Sequence, residues 1–158
     1  MHLTIAAVGR MKTGAERDLL DRFLGRAETA GRSLGLAFTL REFAESRAAT
    51  AALRKRQEGE AMLAAVAGNG LIALDEGGRT MTSRAFADVI ATYRDRGEGS
   101  LAFVIGGADG LSPAVLEKAT RRLAFGAMTW PHQLVRIMLA EQLYRAATIL
   151  AGHPYHRS

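Results

Sequence analysis

The stretch Leu101-Ala102-Phe103-Val104-Ile105, apolar at every position, is the feature that most limits what this chain can become. A half-buried strand alternates apolar and polar residues, so an unbroken run of strand length predicts a strand covered on both faces, as in a parallel sheet. It runs into Gly106-Gly107-Ala108-Asp109-Gly110, where three glycines in five residues leave the backbone free of side chains and open to close approach by a ligand. Ser112-Pro113 then reads as a helix start, with Ser at the N-cap, Pro at N1, and Leu111 and Leu116 set for a hydrophobic staple. A second apolar run, Leu123 to Trp130, is expected to be another buried strand or strand-like segment. Strand, glycine loop, helix and strand form the unit that puts a small-molecule site at the carboxyl end of a parallel sheet.

The rest of the chain repeats this rhythm. Leu3 to Gly9 and Leu36 to Leu40 read as strands, with Leu20, Phe23, Leu24 and Ala27 at helical spacing between them. Arg47 to Ala67 is helix-prone, and its polar run Arg54-Lys55-Arg56-Gln57-Glu58 reads as a solvated face. Leu71 to Leu74 is a third strand, entering a second glycine-containing loop, Asp75 to Arg79. Ser83 is set to cap a helix carrying Phe86, Val89, Ile90 and Tyr93. Strands alternating with helices across 158 residues predict a single α/β domain with a mainly parallel sheet. The spacing Gly9 to Gly14 is that of a phosphate loop, but Ala15-Glu16 stand where Lys-Ser/Thr is required, which excludes a P-loop nucleotidase.

Composition removes other classes. With no cysteine there is neither a disulfide framework nor a thiolate metal site. No run approaches the ~18 apolar residues of a membrane span and the start lacks a basic leader, so a soluble cytoplasmic protein is expected. The net charge of +5 is concentrated at one end: residues 121–158 hold five arginines and three histidines against Glu141 alone. A polyanionic partner is expected to meet that end. The last helix, predicted from Pro131 to about Ala151, is apolar on most sides, and a homodimer interface is the simplest cover for its second face. His132 with Arg136, and Glu141 with Arg145, are spaced to pair along its surface.

Several separated motifs coincide in order and spacing. They are Leu74-Asp75 with Gly78-Arg79, Val104-Ile105-Gly106-Gly107 with Gly110-Leu111, Met128-Thr129-Trp130-Pro131-His132 with Arg136, Glu141-Gln142 with Tyr144-Arg145-Ala146, and Pro154-Tyr155-His156. Together they resemble the ribosomal RNA large subunit methyltransferase H family of SPOUT methyltransferases, over essentially the full length. The resemblance implies a SPOUT-type α/β fold with a C-terminal trefoil knot, a homodimer, and S-adenosylmethionine-dependent methylation of N3 of a pseudouridine in 23S rRNA of the assembled ribosome. It also implies that the cofactor meets Leu74, Gly106 and the loop Phe125, Gly126, Ala127, Met128, Thr129 and Trp130. The chain departs from the family pattern at Gly126-Ala127, which is harmless where the contacts are made by backbone.

Such a reaction is an in-line displacement that needs positioning and no metal, while the acceptor imide must also lose a proton. Candidates for substrate positioning or proton transfer are Arg136, His132, Tyr155 and His156. Two alternatives stay open on the residues alone: a SPOUT enzyme acting on tRNA or another rRNA site, and a non-enzymatic ribosome-binding module.

Overall fold

The computed structural model describes residues 1–68 and 70–154; Tyr155 and His156 therefore lie outside the described residues. Five strands, β1 (His2–Val8), β2 (Ala37–Phe43), β3 (Gly70–Arg79), β4 (Ser100–Ile105) and β5 (Arg121–Leu123), form one parallel sheet in the order β2-β1-β4-β3-β5. Five helices connect and cover them: α1 (Ala15–Gly31), α2 (Ala51–Ala65), α3 (Ser83–Asp95), α4 (Pro113–Lys118) and α5 (His132–Leu150). The α/β expectation holds.

Period-two alternation sorts the unbroken apolar strands onto two covered faces. Leu3, Ile5, Ile72, Leu101 and Phe103 pack with Leu20, Phe86, Ile90, Leu139 and Leu143 under α1, α3 and α5. Phe86 and Phe103 meet with ring centroids 5.7 Å apart. The opposite face carries smaller residues, Ala6, Val8, Ala73, Ala102 and Val104, against Met62 and Val115 of α2 and α4 and the flanking Val66 and Leu111. Each fully buried Leu, Ile or Phe contributes about 1.5–3 kcal/mol.

Helix starts follow their chemistry. Ser112 caps α4 through the Val115 N–H, with Pro113 in the first turn, and Thr50 caps α2 through the Leu53 N–H. Thr82, rather than Ser83, caps α3, accepting from the Ala85 N–H at 3.1 Å.

Several expectations are corrected. The run Leu123 to Trp130 is not a strand: β5 stops at Leu123, and the segment onward to Pro131 is a loop in which Met128 is 72% and Trp130 41% exposed. Asp75 to Arg79 is not a free loop: it bulges out of β3, and Arg79 rejoins Leu123. The return requires Gly78, where an added Cβ would lie 2.7 Å from the Leu123 backbone. Most of the apolar surface of α5 is covered inside the chain by α1, α3 and the sheet, so its composition does not by itself demand a second subunit. Pro131 stands at its N-cap and His132 opens the helix.

Candidate active-site cleft

The carboxyl ends of β3, β4 and β5 converge on one cleft of about 820 Å³, within the roughly 300–1,000 Å³ usual for small-molecule sites. Its apolar walls include Leu74, Ile105, Leu111, Phe125 and Val135. The loop after β4 supplies Gly106 to Gly110, and the loop after β5 supplies Phe125, Gly126, Met128, Thr129 and Trp130. His132 lies at the start of α5 on the same cleft. Leu74, Gly106 and the β5 loop, which are separate in sequence, are thus brought together. Ala127 is exposed and is not among the lining residues.

The two loops are built differently. The β4 loop closes on itself through the Gly110 N–H to Gly107 O bond (3.0 Å). Gly106 leaves no room for a side chain, since a Cβ there would sit 2.5 Å from Gly110 C. The loop is clamped from outside by Arg54 of α2, whose Nε and Nη2 donate to Asp109 at 2.6 and 3.2 Å. This hydrogen bond holds the Asp109 carboxyl below the usual carboxylate range and raises Arg54. The β5 loop is tied to the cleft's other side by Thr129 Oγ1, which donates to Glu76 Oε2 at 2.8 Å.

Lys55 lines the cleft beside Arg54, and Glu58 is buried, accepting from the Ser46 N–H at 2.8 Å. The polar run of α2 is therefore only partly a solvated face, and its Lys55 lines the same cleft as the glycine loop. Asp75, Glu76 and Asp109 still outnumber it on the cleft. Apolar walls, backbone edges and these carboxylates suit an uncharged or cationic small molecule better than a phosphorylated one.

Arg136 does not pair with His132 on the helix surface. It is wholly buried, donating from Nη1 to Glu42 Oε1 at 2.6 Å and from Nη2 to the Val8 carbonyl at 3.0 Å. Burial lowers its guanidinium, opposed by Glu42. His132 instead stands over Gly9, where an added Cβ would lie 3.4 Å from its Nε2 and 3.0 Å from Glu45 Oε1. The Glu141–Arg145 pair does form, Arg145 Nε donating at 3.0 Å. Sequence reasoning missed Glu42, Glu45, Lys55 and Glu76 as members or supports of this region, because each acts on residues distant along the chain.

Known proteins give the architecture a family. The family model described as predicted SPOUT methyltransferase matches residues 1–156. A protein from Xanthobacter autotrophicus named ribosomal RNA large subunit methyltransferase H is 57% identical, with all of both chains covered. One of the same name from Nitrobacter hamburgensis is 55% identical over 99% of each. This chain belongs to the ribosomal RNA large subunit methyltransferase H family, within the SPOUT methyltransferases. Among solved structures, a probable methylase family protein from Haemophilus influenzae Rd KW20 shares the fold with a TM-score of 0.53 at 15% identity, over 99% of this chain and 70% of that one.

Among the described residues no helix is long and apolar enough to cross a membrane, and no cluster of three or more His, Asp or Glu could hold a metal ion.

Proposed function

We propose that this methyltransferase moves the methyl group of S-adenosylmethionine to N3 of a pseudouridine in 23S rRNA, acting on the assembled ribosome in the cytoplasm. The observation that carries this reading is the three-loop cleft at Leu74, Gly106 and Phe125–Trp130 in a chain whose full-length relatives bear the name of a large-subunit rRNA methyltransferase. The reading includes a homodimer and a C-terminal trefoil knot.

Leu74, Ile105 and Phe125 offer apolar surfaces for the adenine, with the backbone of the two glycine-containing loops at its edge, and Asp75 and Glu76 provide acidic groups for the cationic part of the cofactor. When bound, the cofactor supplies an electrophilic methyl on a sulfonium. Catalysis by the chain consists chiefly of holding the acceptor in line with it. His132, on the cleft at the amino end of α5, is placed to accept or pass on the imide proton. Arg136, being buried, would act on the substrate through the elements it holds. Tyr155 and His156 are proposed to reach the acceptor from the C-terminal tail; removing residues 153–158 should abolish methylation while leaving dimerisation and cofactor binding largely intact.

The deciding experiment offers labelled S-adenosylmethionine with assembled ribosomes, free 23S rRNA and tRNA, and maps the product by mass. Incorporation at a pseudouridine N3 of ribosomes is expected. Labelling of tRNA alone would move the target, and absence of cofactor binding by calorimetry at high micromolar concentration would favour a non-enzymatic ribosome-binding role.

A further inference from the structure

The Glu42 carboxylate of β2 is bonded to three residues distant from it in sequence, two near the start of α1 and one in α5. Its Oε1 accepts from the Met11 N–H (2.9 Å) in the β1–α1 loop and from Arg136 Nη1 (2.6 Å) in α5, and its Oε2 accepts from Arg17 Nη1 (3.1 Å) in α1. Arg136 passes the connection to Val8, whose carbonyl it binds at 3.0 Å. Val8 in turn packs against the cofactor-side glycine loop, since a Cβ on Gly107 would stand 3.0 Å from Val8 Cγ1. Arg136 also lies one turn beyond His132 and less than two beyond Trp130, so the same guanidinium fixes the end of α5 from which the β5 loop departs. Its Nε is buried and has no hydrogen-bond partner in the structure. The pair does more than fill space: an apolar pair of similar shape would leave the Met11 N–H and the Val8 carbonyl without these partners, so the two side chains tie backbone of the β1 end to α5.

We propose that Glu42 and Arg136 are positioning residues that hold the two facing walls of the cleft, the Gly106–Gly110 loop through Val8 and the Trp130–His132 segment through α5, in the spacing needed for cofactor and acceptor. This rests on the methyltransferase reading for what the cleft binds. The network itself is independent of it.

Trp130 is the chain's one tryptophan, which gives a direct optical readout of the segment. Glu42→Gln and Arg136→Lys, which keep some hydrogen bonding, are compared with Ile90→Val, a buried change in α3 outside the pair's hydrogen-bond network that supplies a reference loss of Tm. The expected result is a shift of Trp130 emission and faster acrylamide quenching in the ligand-free pair variants. At least tenfold weaker S-adenosylmethionine binding should accompany it, with neither change in Ile90→Val. Emission and quenching equal to wild type in both pair variants would overturn the proposal, whatever happens to Tm. Should the wild-type protein bind no S-adenosylmethionine, the cofactor reading falls and the Trp130 readout still decides the positioning role.

Discussion

Two loops face each other across one cleft, and they solve the same problem in opposite ways. The β4 loop, Gly106 to Gly110, is locked by its own backbone bond, by the Arg54–Asp109 clamp and by contact with Val8. The β5 loop carries apolar residues into solvent, with Met128 and Trp130 among the most exposed large hydrophobics of the described residues, and Thr129 bonded to Glu76. One wall is preformed from backbone. The other displays apolar surface to solvent. In the proposed methyltransferase the first wall would be a fixed reference and the second a surface that is covered only on binding.

The sharpest way to break the comparison is to add a methyl group to each wall. In Gly106→Ala the new Cβ meets Gly110 C at 2.5 Å, Gly110 O at 2.7 Å and Leu111 N at 2.9 Å, all backbone atoms that no rotamer change can move. Overpacking of this kind costs about 1–3 kcal/mol, and cofactor affinity should fall more than tenfold by calorimetry. Gly126→Ala meets no atom within 4 Å but sits at φ +118°, so it should cost about 1–3 kcal/mol of backbone strain but only a few-fold in affinity. Equal losses of affinity in the two variants would show that the walls are not built differently.

The same contrast explains what could be read along the chain. The β4 run and Ser112-Pro113 were legible because an apolar strand and a capped helix start are local patterns. The segment after Leu123 departs from the expected strand because apolar composition predicts burial without saying by what: Ala124 and Phe125 still pack inward, while Met128 to Trp130 face the cleft and solvent. Arg136 looked like a surface cation from its helical spacing to His132, yet its partner Glu42 lies 94 residues away. Glu76 and Lys55 were equally invisible, being carried to the cleft by a bulge in β3 and by the packing of α2. Contacts set by strand order, rather than by neighbouring residues, escape periodicity.

Trp130→Ala sharpens the comparison from the adaptable side. Because the ring is already 41% exposed, its loss should change stability by less than about 1 kcal/mol. It should nevertheless weaken cofactor or ribosome binding about tenfold, the value of one large apolar contact covered on binding. Thermal unfolding and calorimetry on the same sample separate the two. A large drop in Tm with unchanged binding would make Trp130 a core residue and remove the distinction between the walls.

The smallest effect belongs to the clamp on the preformed wall. Asp109→Asn removes a carboxylate whose folded-state proton affinity is lowered by the Arg54 hydrogen bond. A depressed carboxyl stabilises the folded form above its unfolded value, about 3.9, and that contribution disappears as pH falls through the lower folded value. Wild type and Asp109→Asn should therefore differ in Tm by a small, constant amount from pH 5 to 8, and the difference should close in more acid solution. Both side chains are half-exposed, so added salt should also narrow it. A gap that widens on acidification would have the wrong sign for a clamp. The order of the β4 loop would then rest on the Val8 contact and on the backbone bond between Gly107 and Gly110, neither of which titrates.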